Sequence, residues 1–253
     1  MILKEFDTYI RSILPLDDFA RIDASLNGVQ VGDLERDITT AAFAVDACLQ
    51  TFEQAAERGA DLLFVHHGIF WGKLYPITGY HYRRFEYLCG QSLSLYAAHL
   101  PLDAHPEFGN NIILARKLGL EDIEKFGEYK GAYIGWKGRF SEAQSIDTIL
   151  GKLGLGRSDC LGLHQFGPVP VETAAIISGS AAGSIDEAIA EDVDIFITGS
   201  ASHAAYHPAL EGGIHMIAGG HYATETVGVR RLAEKVSADT GISTFFVDIP
   251  TGL

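Results

Sequence analysis

The sequence is that of an α/β protein with two similar, pseudo-duplicated lobes, each built on mostly parallel buried strands, joined by an irregular, partly antiparallel segment. Three observations carry that expectation. Short, continuously apolar runs alternate with helical spacings, which indicates parallel strands covered on both faces. The alternation loosens between Gly119 and Val171 and then resumes. A buried run followed by a histidine and a carboxylate occurs at matching places in both halves.

Leu3, Phe6, Tyr9, Ile10 and Ile13 recur at helical spacing, so the chain opens on an amphipathic helix that stops before Pro15. After a loop, Thr40 to Val45 is an apolar run of strand length, Gln50 to Arg58 reads as a helix, and Asp61 to Val65 as a second buried strand. Tyr82 to Cys89 reads as a helix, Leu93 to Ala98 as a third strand, and Asn110 to Leu118 as the next helix. In the looser middle, Tyr129 to Phe140 is rich in Gly and aromatics and reads as antiparallel strands, with a helix over Ser141 to Leu153. Strands then follow at Thr173 to Ile177, Asp194 to Thr198 and Ile214 to Ala218, separated by helices at Ser184 to Glu191 and Ser202 to Leu210. A long helix from about Tyr222 to Ala238 and a strand over Thr244 to Val247 come last.

The two α/β stretches look like copies of one unit. Asp61-Leu62-Leu63-Phe64-Val65-His66-His67 lies over Asp194-Ile195-Phe196-Ile197-Thr198-Gly199-Ser200. Ala97-Ala98-His99 with Asp103 lies over Gly219-Gly220-His221 with Glu225. Two βαβ units often share such grammar by chance; a matched His-x-x-x-carboxylate is harder to reach by accident. No Pro/Ser linker separates the halves. Residues 1–253 are therefore expected to form one two-lobed domain: lobe one about 1–118 with closing C-terminal elements, a connection about 119–171, and lobe two about 172–253.

Composition narrows the function. The 253 residues carry 33 Asp+Glu against 19 Lys+Arg, a formal net charge of −14. That balance argues against DNA or RNA as a main partner, because phosphate binding needs clustered Lys and Arg. A nucleotide remains possible where a metal ion supplies local positive charge. Cys48, Cys89 and Cys160 are odd in number and widely spaced, which suits a reducing compartment and excludes a disulfide framework or a cysteine-based zinc site. The N-terminus has no signal-peptide core, and no apolar stretch approaches the ~18 residues of a membrane span. A soluble cytoplasmic protein is expected.

Ligands in open α/β sheets bind beyond the carboxyl ends of the strands, and three clusters of metal-competent side chains fall there. His66-His67 directly follows a buried strand. Neighbouring strand residues point to opposite faces, so the pair reaches one centre only where the strand is ending; otherwise it serves two ions. His99-Leu100-Pro101-Leu102-Asp103-Ala104-His105 is the second cluster, and taken alone it reads as a cap or turn. Gly219-Gly220-His221-Tyr222-Ala223-Thr224-Glu225 is the third. A helix begun by His221 puts His221 and Glu225 on one face, the i,i+4 spacing at which helices present paired metal ligands. The helix dipole alone accounts for a first-turn Glu225 and leaves His221 unexplained.

Together these give His66, His67, Asp103, His221 and Glu225. Five protein ligands exceed what one catalytic zinc takes, while carboxylates bridge two ions ~3.5–4 Å apart. Nitrogen and oxygen donors without a thiolate fit Zn, Mn or Fe. A bridging water there becomes a nucleophile near neutral pH, which is the chemistry of metal-assisted hydrolysis. Competing motifs fail: the serine-hydrolase elbow Gly-x-Ser-x-Gly, the phosphate loop and Gly-x-Gly-x-x-Gly after the first strand are all missing. Ser178-Gly179-Ser180-Ala181-Ala182-Gly183 reads as a plain strand-to-helix turn. His164, His203, His207 and His215 read as surface or packing residues. Phe70, Trp71, Tyr75, Tyr80 and Tyr82 either wall a pocket for a planar base or pack a loop or subunit contact.

The blocks Asn27-Gly28-Val29-Gln30-Val31-Gly32, Val65-His66-His67-Gly68-Ile69-Phe70-Trp71, Ala98 to Pro106 with Gly109-Asn110-Asn111, Ile197-Thr198-Gly199 and Ala218 to Glu225 occur in this order. Over nearly its whole length the chain closely resembles the dinuclear-metal family named GTP cyclohydrolase 1 type 2 homologues. The resemblance implies a two-lobed protomer assembled as a toroidal homohexamer with metal pairs facing the ring interior. It implies the same five ligands, His66, His67, Asp103, His221 and Glu225, and two divalent metal ions. His99 lies in the family motif and is carried over only as a group that stands behind the ligands or faces the substrate. The family name implies hydrolytic opening of the guanine ring of GTP with loss of formate, hence a nucleotide or other small-molecule substrate. Many members have Asp where this chain has Leu26, and Glu where it has Ser200. Two other readings stand beside the hydrolase: a non-catalytic metal-binding assembly or regulatory protein, and a two-metal phosphoesterase.

Overall fold

Eleven strands and the helices between them make two sheets in the computed structural model, which describes residues 1–253. The strands are β1 (Gly28–Val31), β2 (Thr40–Asp46), β3 (Leu62–His67), β4 (Ser94–Ala97), β5 (Leu120–Tyr129), β6 (Ala132–Gln144), β7 (Gly162–Gln165), β8 (Val171–Ile177), β9 (Ile195–Thr198), β10 (His215–Ala218) and β11 (Ser243–Phe246). The chain divides into two units: Met1–Leu102 with Val229–Ile249, and Asp103–Gly228 with Pro250–Leu253. Each owns one sheet.

The first unit has the strand order β1-β4-β3-β2-β11. β4, β3, β2 and β11 run parallel, and β1 closes one edge antiparallel to β4. β3 is buried along nearly its whole length, as a central parallel strand must be. Leu63 and Val65 pack with Phe52 and Leu88 from the helices Leu49–Glu57 and Gly79–Gly90. On the other face Phe64 stacks between Phe43 and Tyr96, with ring centroids 5.1 and 5.4 Å away. The Tyr96 hydroxyl donates to Asp7 (2.8 Å), which satisfies the polar end of that buried ring.

The second unit has the order β5-β6-β8-β9-β10-β7. Its parallel centre, β8-β9-β10, is flanked by the antiparallel pairs β5-β6, β6-β8 and β10-β7. Ile176, Ile195, Ile197 and Ile217 face the helices Asn110–Leu118 and Ile146–Leu153, while Phe196, Ala175 and Met216 pack on the opposite side.

Strand registers support the duplication read from the sequence. Ala41 lies opposite Leu62 in the first unit, and Ala174 opposite Ile195 in the second, at equal sequence separation. Asp61 Oδ2 accepts the backbone N–H groups of Thr39 (2.9 Å) and Thr40 (3.1 Å). Asp194 Oδ2 accepts those of Glu172 (2.7 Å) and Thr173 (2.9 Å). One carboxylate before each second strand thus ties down the start of the strand beside it.

Three readings change. Residues 141–144 continue β6 instead of opening a helix, because Ser145 accepts the Thr148 N–H as N-cap and the helix begins at Ile146. The long helix spans His221–Thr240, so it begins one residue earlier than expected. Ser202 to Leu210 splits into a short turn, His203–Ala205, and the helix Tyr206–Gly212. The antiparallel pair expected near Tyr129 to Phe140 is there as β5-β6, longer than foreseen and hydrogen-bonded into the second sheet. No helix is long and apolar enough to cross a membrane.

Asp61→Ala and Asp194→Ala should each cost about 1–3 kcal/mol in urea denaturation at neutral pH, since each strands two backbone donors. Burial pushes the Asp61 carboxyl up, but hydrogen bonds from Thr39 and Thr40 and the Arg36 charge outweigh it and hold it below its usual range. Its share of stability is fully present above the unfolded value of about 3.9 and is lost as pH falls through the lower folded value. The stability gap between wild type and Asp61→Ala should therefore narrow as pH falls below the unfolded value of about 3.9. A gap that stays constant there contradicts the assignment.

Candidate metal centre

The first unit gathers three histidines at the carboxyl end of its sheet. Alternation along β3 sends His66 to the face of Phe64 and His67 to that of Val65. Because the strand ends there, both rings still meet, with centroids 4.7 Å apart. The exit is pinned by Gln30, whose Oε1 accepts the Ile69 N–H (2.7 Å) and whose Nε2 donates to the Leu26 carbonyl (2.7 Å). A Cβ on Gly68 would overlap that amide, so a larger residue there requires Gln30 to move.

Each of these rings is held through Nδ1. His66, fully buried, has Nδ1 3.1 Å from the Ala98 carbonyl. His67 Nδ1 lies 2.8 Å from Asp46 Oδ1, and His99 Nδ1 2.9 Å from Asp23 Oδ1. Carbonyl and carboxylate oxygens only accept, so Nδ1 carries the proton and, in the neutral ring, Nε2 carries the lone pair. The Asp23 side chain is 1% exposed. It also accepts from the backbone N–H of Ser25 and Leu100 and from the Asn27 amide. Burial raises the Asp23 carboxyl, yet the bond and charge of His99, with the Asn27 and Ser25 bonds, outweigh this and leave it lowered. One ring nitrogen each of His66, His67 and His99 lies within 4.8 Å of the others.

The second unit gathers Asp103, His221 and Glu225. Its long helix starts at His221, which places His221 and Glu225 one turn apart, Nε2 to Oε2 3.2 Å. Ser200 Oγ lies 3.1 Å from His221 Nδ1. Asp103 and Glu225 are both buried, with one oxygen of each within 4.8 Å of the other. Asp103 Oδ1 accepts from the Asn110 amide (2.8 Å) and the Ser178 hydroxyl (3.2 Å). Gly179, at φ +64°, permits the approach of Glu225, because a Cβ there would overlap its carboxylate.

Buried carboxylates need hydrogen bonds or positive charge around them, and such a cluster suits a cation. Imidazoles whose Nδ1 is committed and whose Nε2 carries the lone pair, together with buried carboxylate oxygens and no thiolate, are the donor set of a Zn, Mn or Fe site. The residues present therefore fit a divalent ion.

All five ligands read from the sequence thus fall into two sets, His66 and His67 in one unit and Asp103, His221 and Glu225 in the other. His99 stands beside the first set, and His105 serves a turn, its Nδ1 accepting from Glu107 and Phe108 N–H. His215 is a packing residue, bonded to Gly167 and Pro168. Sequence reasoning missed Asp23, Asp46, Gln30, Asn110 and Ser178. Asp46 was within reach of pattern, since it ends β2 directly opposite His67; Asp23 sits in an irregular loop with no such signal. Ser178-Gly179, read as a plain turn, borders Asp103 and Glu225.

The Duf34/NIF3 (NGG1p interacting factor 3) family model matches residues 1–251. A relative from Treponema pallidum named GTP cyclohydrolase 1 type 2 homolog is 41% identical over 100% of both chains. One of the same name from Archaeoglobus fulgidus is 46% identical over 94% of this chain and 96% of its own. Among solved structures, TTHA1606 from Thermus thermophilus aligns at a TM-score of 0.90 and 42% identity, covering 100% of both chains.

Asp46→Asn keeps the shape of the His67 partner and removes its charge, so divalent-metal affinity measured by competition with a chelating dye should fall about 10–100-fold. Gly179→Ala should weaken binding at least as much by displacing Glu225. Unchanged affinity in both variants contradicts these orienting roles.

Proposed function

This chain belongs to the Duf34/NIF3 family, and we propose that it is a dinuclear-metal-dependent hydrolase in which His66, His67, Asp103, His221 and Glu225 hold two divalent ions, Zn, Mn or Fe. The observation that carries the reading is the anchoring of Nδ1 in His66 and His67 by a backbone carbonyl and a carboxylate, which fixes both imidazoles, together with a set of buried carboxylates. A pair of such ions supplies Lewis acidity and lowers the pKa of water towards neutrality.

The chain's own residues do the rest. Asp46 and the Ala98 carbonyl fix the orientation of His67 and His66. Asn110 and Ser178 hold Asp103 through one of its oxygens. Trp71 donates Nε1–H to the Gly68 carbonyl (2.9 Å), and its ring centroid lies 5.8 Å from that of His67, a flat apolar wall for a planar ring. With the name carried by the relatives, this supports hydrolytic opening of the guanine ring of GTP with release of formate as the reaction. Assembly as a ring-shaped homohexamer belongs to the same proposal. The exposed Leu74, Ile77, Tyr80 and Tyr82 supply apolar surface of the kind that association covers.

Metal-loaded protein incubated with GTP should release formate, and His66→Ala or Glu225→Ala should reduce the rate at least about 100-fold. Formate release that survives either substitution overturns the assignment. Stoichiometric metal without turnover on GTP or phosphate esters would instead mark a metal-binding assembly, and turnover on phosphate esters alone a phosphoesterase. Sedimentation velocity should give six times the 27.4 kDa chain mass; a monomer at micromolar concentration contradicts the ring.

A further inference from the structure

Between Asp61 and Glu86 the chain carries no Asp or Glu, its longest stretch without one, although 33 of its 253 residues are acidic. Lys73, Arg83 and Arg84 fall inside that stretch. Other cations are taken up by carboxylates, as Arg11 is by Asp7, Lys137 by Glu191 and Arg157 by Asp147. Lys73 and Arg84 enter no ion pair. The acid-free stretch leads directly out of the strand that ends in His66 and His67.

Rings hold this segment in shape. Trp71 is partly exposed, with its centroid 5.8 Å from that of His67 and 5.1 Å from that of His99. Gly72, at φ +65°, turns the chain between Trp71 and Lys73. Phe70 stacks on Tyr75 at 6.1 Å, Tyr75 on His81 at 4.0 Å, and His81 lies 4.0 Å from Tyr80. The Tyr75 hydroxyl donates to the Ile69 carbonyl and closes the loop. The Arg84 guanidinium lies over the Tyr80 ring, 5.3 Å from its centroid, within cation–π reach. Burial raises the Tyr75 hydroxyl and the Arg84 charge draws it down, so this cation stands near Tyr75 as well.

We propose that this segment is the anion-binding arm of a nucleoside polyphosphate site: the base stacks on Trp71, and Lys73 and Arg84 take the phosphate oxygens. A nucleoside triphosphate is strongly anionic, and a chain of net charge −14 repels it unless a local positive region draws it in. Resting on Tyr80 orders Arg84 and leaves its planar fork open to two oxygens. Arg83 stands one position away, about 100° around the helix, and lies outside the arm. The inference rests on the reading of the substrate as a nucleotide and names the residues that hold its phosphates.

The test is isothermal titration calorimetry of the full-length protein with GTP, guanosine and inorganic triphosphate, in EDTA so that no metal bridges the phosphates. GTP should bind wild type at least about 10-fold more tightly than guanosine. Lys73→Met and Arg84→Met should each weaken GTP and triphosphate about 10-fold, with Arg84→Lys losing less. Trp71→Leu should weaken GTP about 10-fold and leave triphosphate unchanged. Arg83→Met removes the same charge as Arg84→Met and should change neither by more than about twofold. With metal restored, Lys73→Met combined with Arg84→Met should raise KM for GTP at unchanged kcat. Absence of GTP binding by wild type overturns the inference, as does an equal affinity in the double variant or an equal loss in Arg83→Met. A double variant that sediments differently and keeps its GTP affinity assigns the cations to a subunit contact and overturns it too. If formate release persists while the double variant changes neither KM nor affinity, only this inference falls. If GTP binding follows these residues and no formate is released, the hydrolase reading falls and the arm stands.

Discussion

The arrangement depends on one interaction repeated: an imidazole whose Nδ1 is bound to a fixed acceptor. A free histidine samples two tautomers and several rotamers, and loses both freedoms when it binds a metal. In His66, His67 and His99 a backbone carbonyl or an aspartate has already removed that freedom. The acceptors are as much a product of the fold as the ligands. Ala98 follows directly on β4, and Asp46 ends β2, so the spacing of adjacent parallel strands sets where the rings can stand.

The second unit solves a related problem with different chemistry. Its imidazole is oriented by the Ser200 hydroxyl, a weaker partner than a carboxylate. Asp103 is held by Asn110 and Ser178, and Glu225 and His221 rely on close backbone approach. A Cβ on Gly199 would come within 2.7 Å of the His221 Cα, and Gly179 gives Glu225 its room, so two glycines stand where side chains would crowd His221 and Glu225. The resemblance identifies Ser200 as a position where many members carry Glu. Its contact with His221 gives that difference a physical meaning, since a hydroxyl orients the ring without adding charge.

The parallel strands were legible because burial on both faces leaves continuous apolar runs, as in Leu62 to Val65 and Ile195 to Ile197. The edge strands β1 and β7 were not, because four-residue segments with glycine and polar residues carry no such run. β5 was hidden by its exposure and by the register shift between Glu121 and Glu124. In the candidate site, the placement of the proposed donors was readable from type and spacing: His66-His67 at a strand end, and His221 with Glu225 one helical turn on. The residues that orient them were not. Asp23 reaches His99 across 76 positions of sequence, and Ser178 reaches Asp103 across 75, distances that only the folded chain brings to contact.

The central claim is that these side chains grip two cations, and anomalous diffraction from crystals of the metal-loaded protein tests it most directly. Two anomalous peaks ~3.5–4 Å apart, bonded between them to His66, His67, Asp103, His221 and Glu225, are the predicted result. Metal bound elsewhere on the chain, with these five side chains untouched, would contradict it.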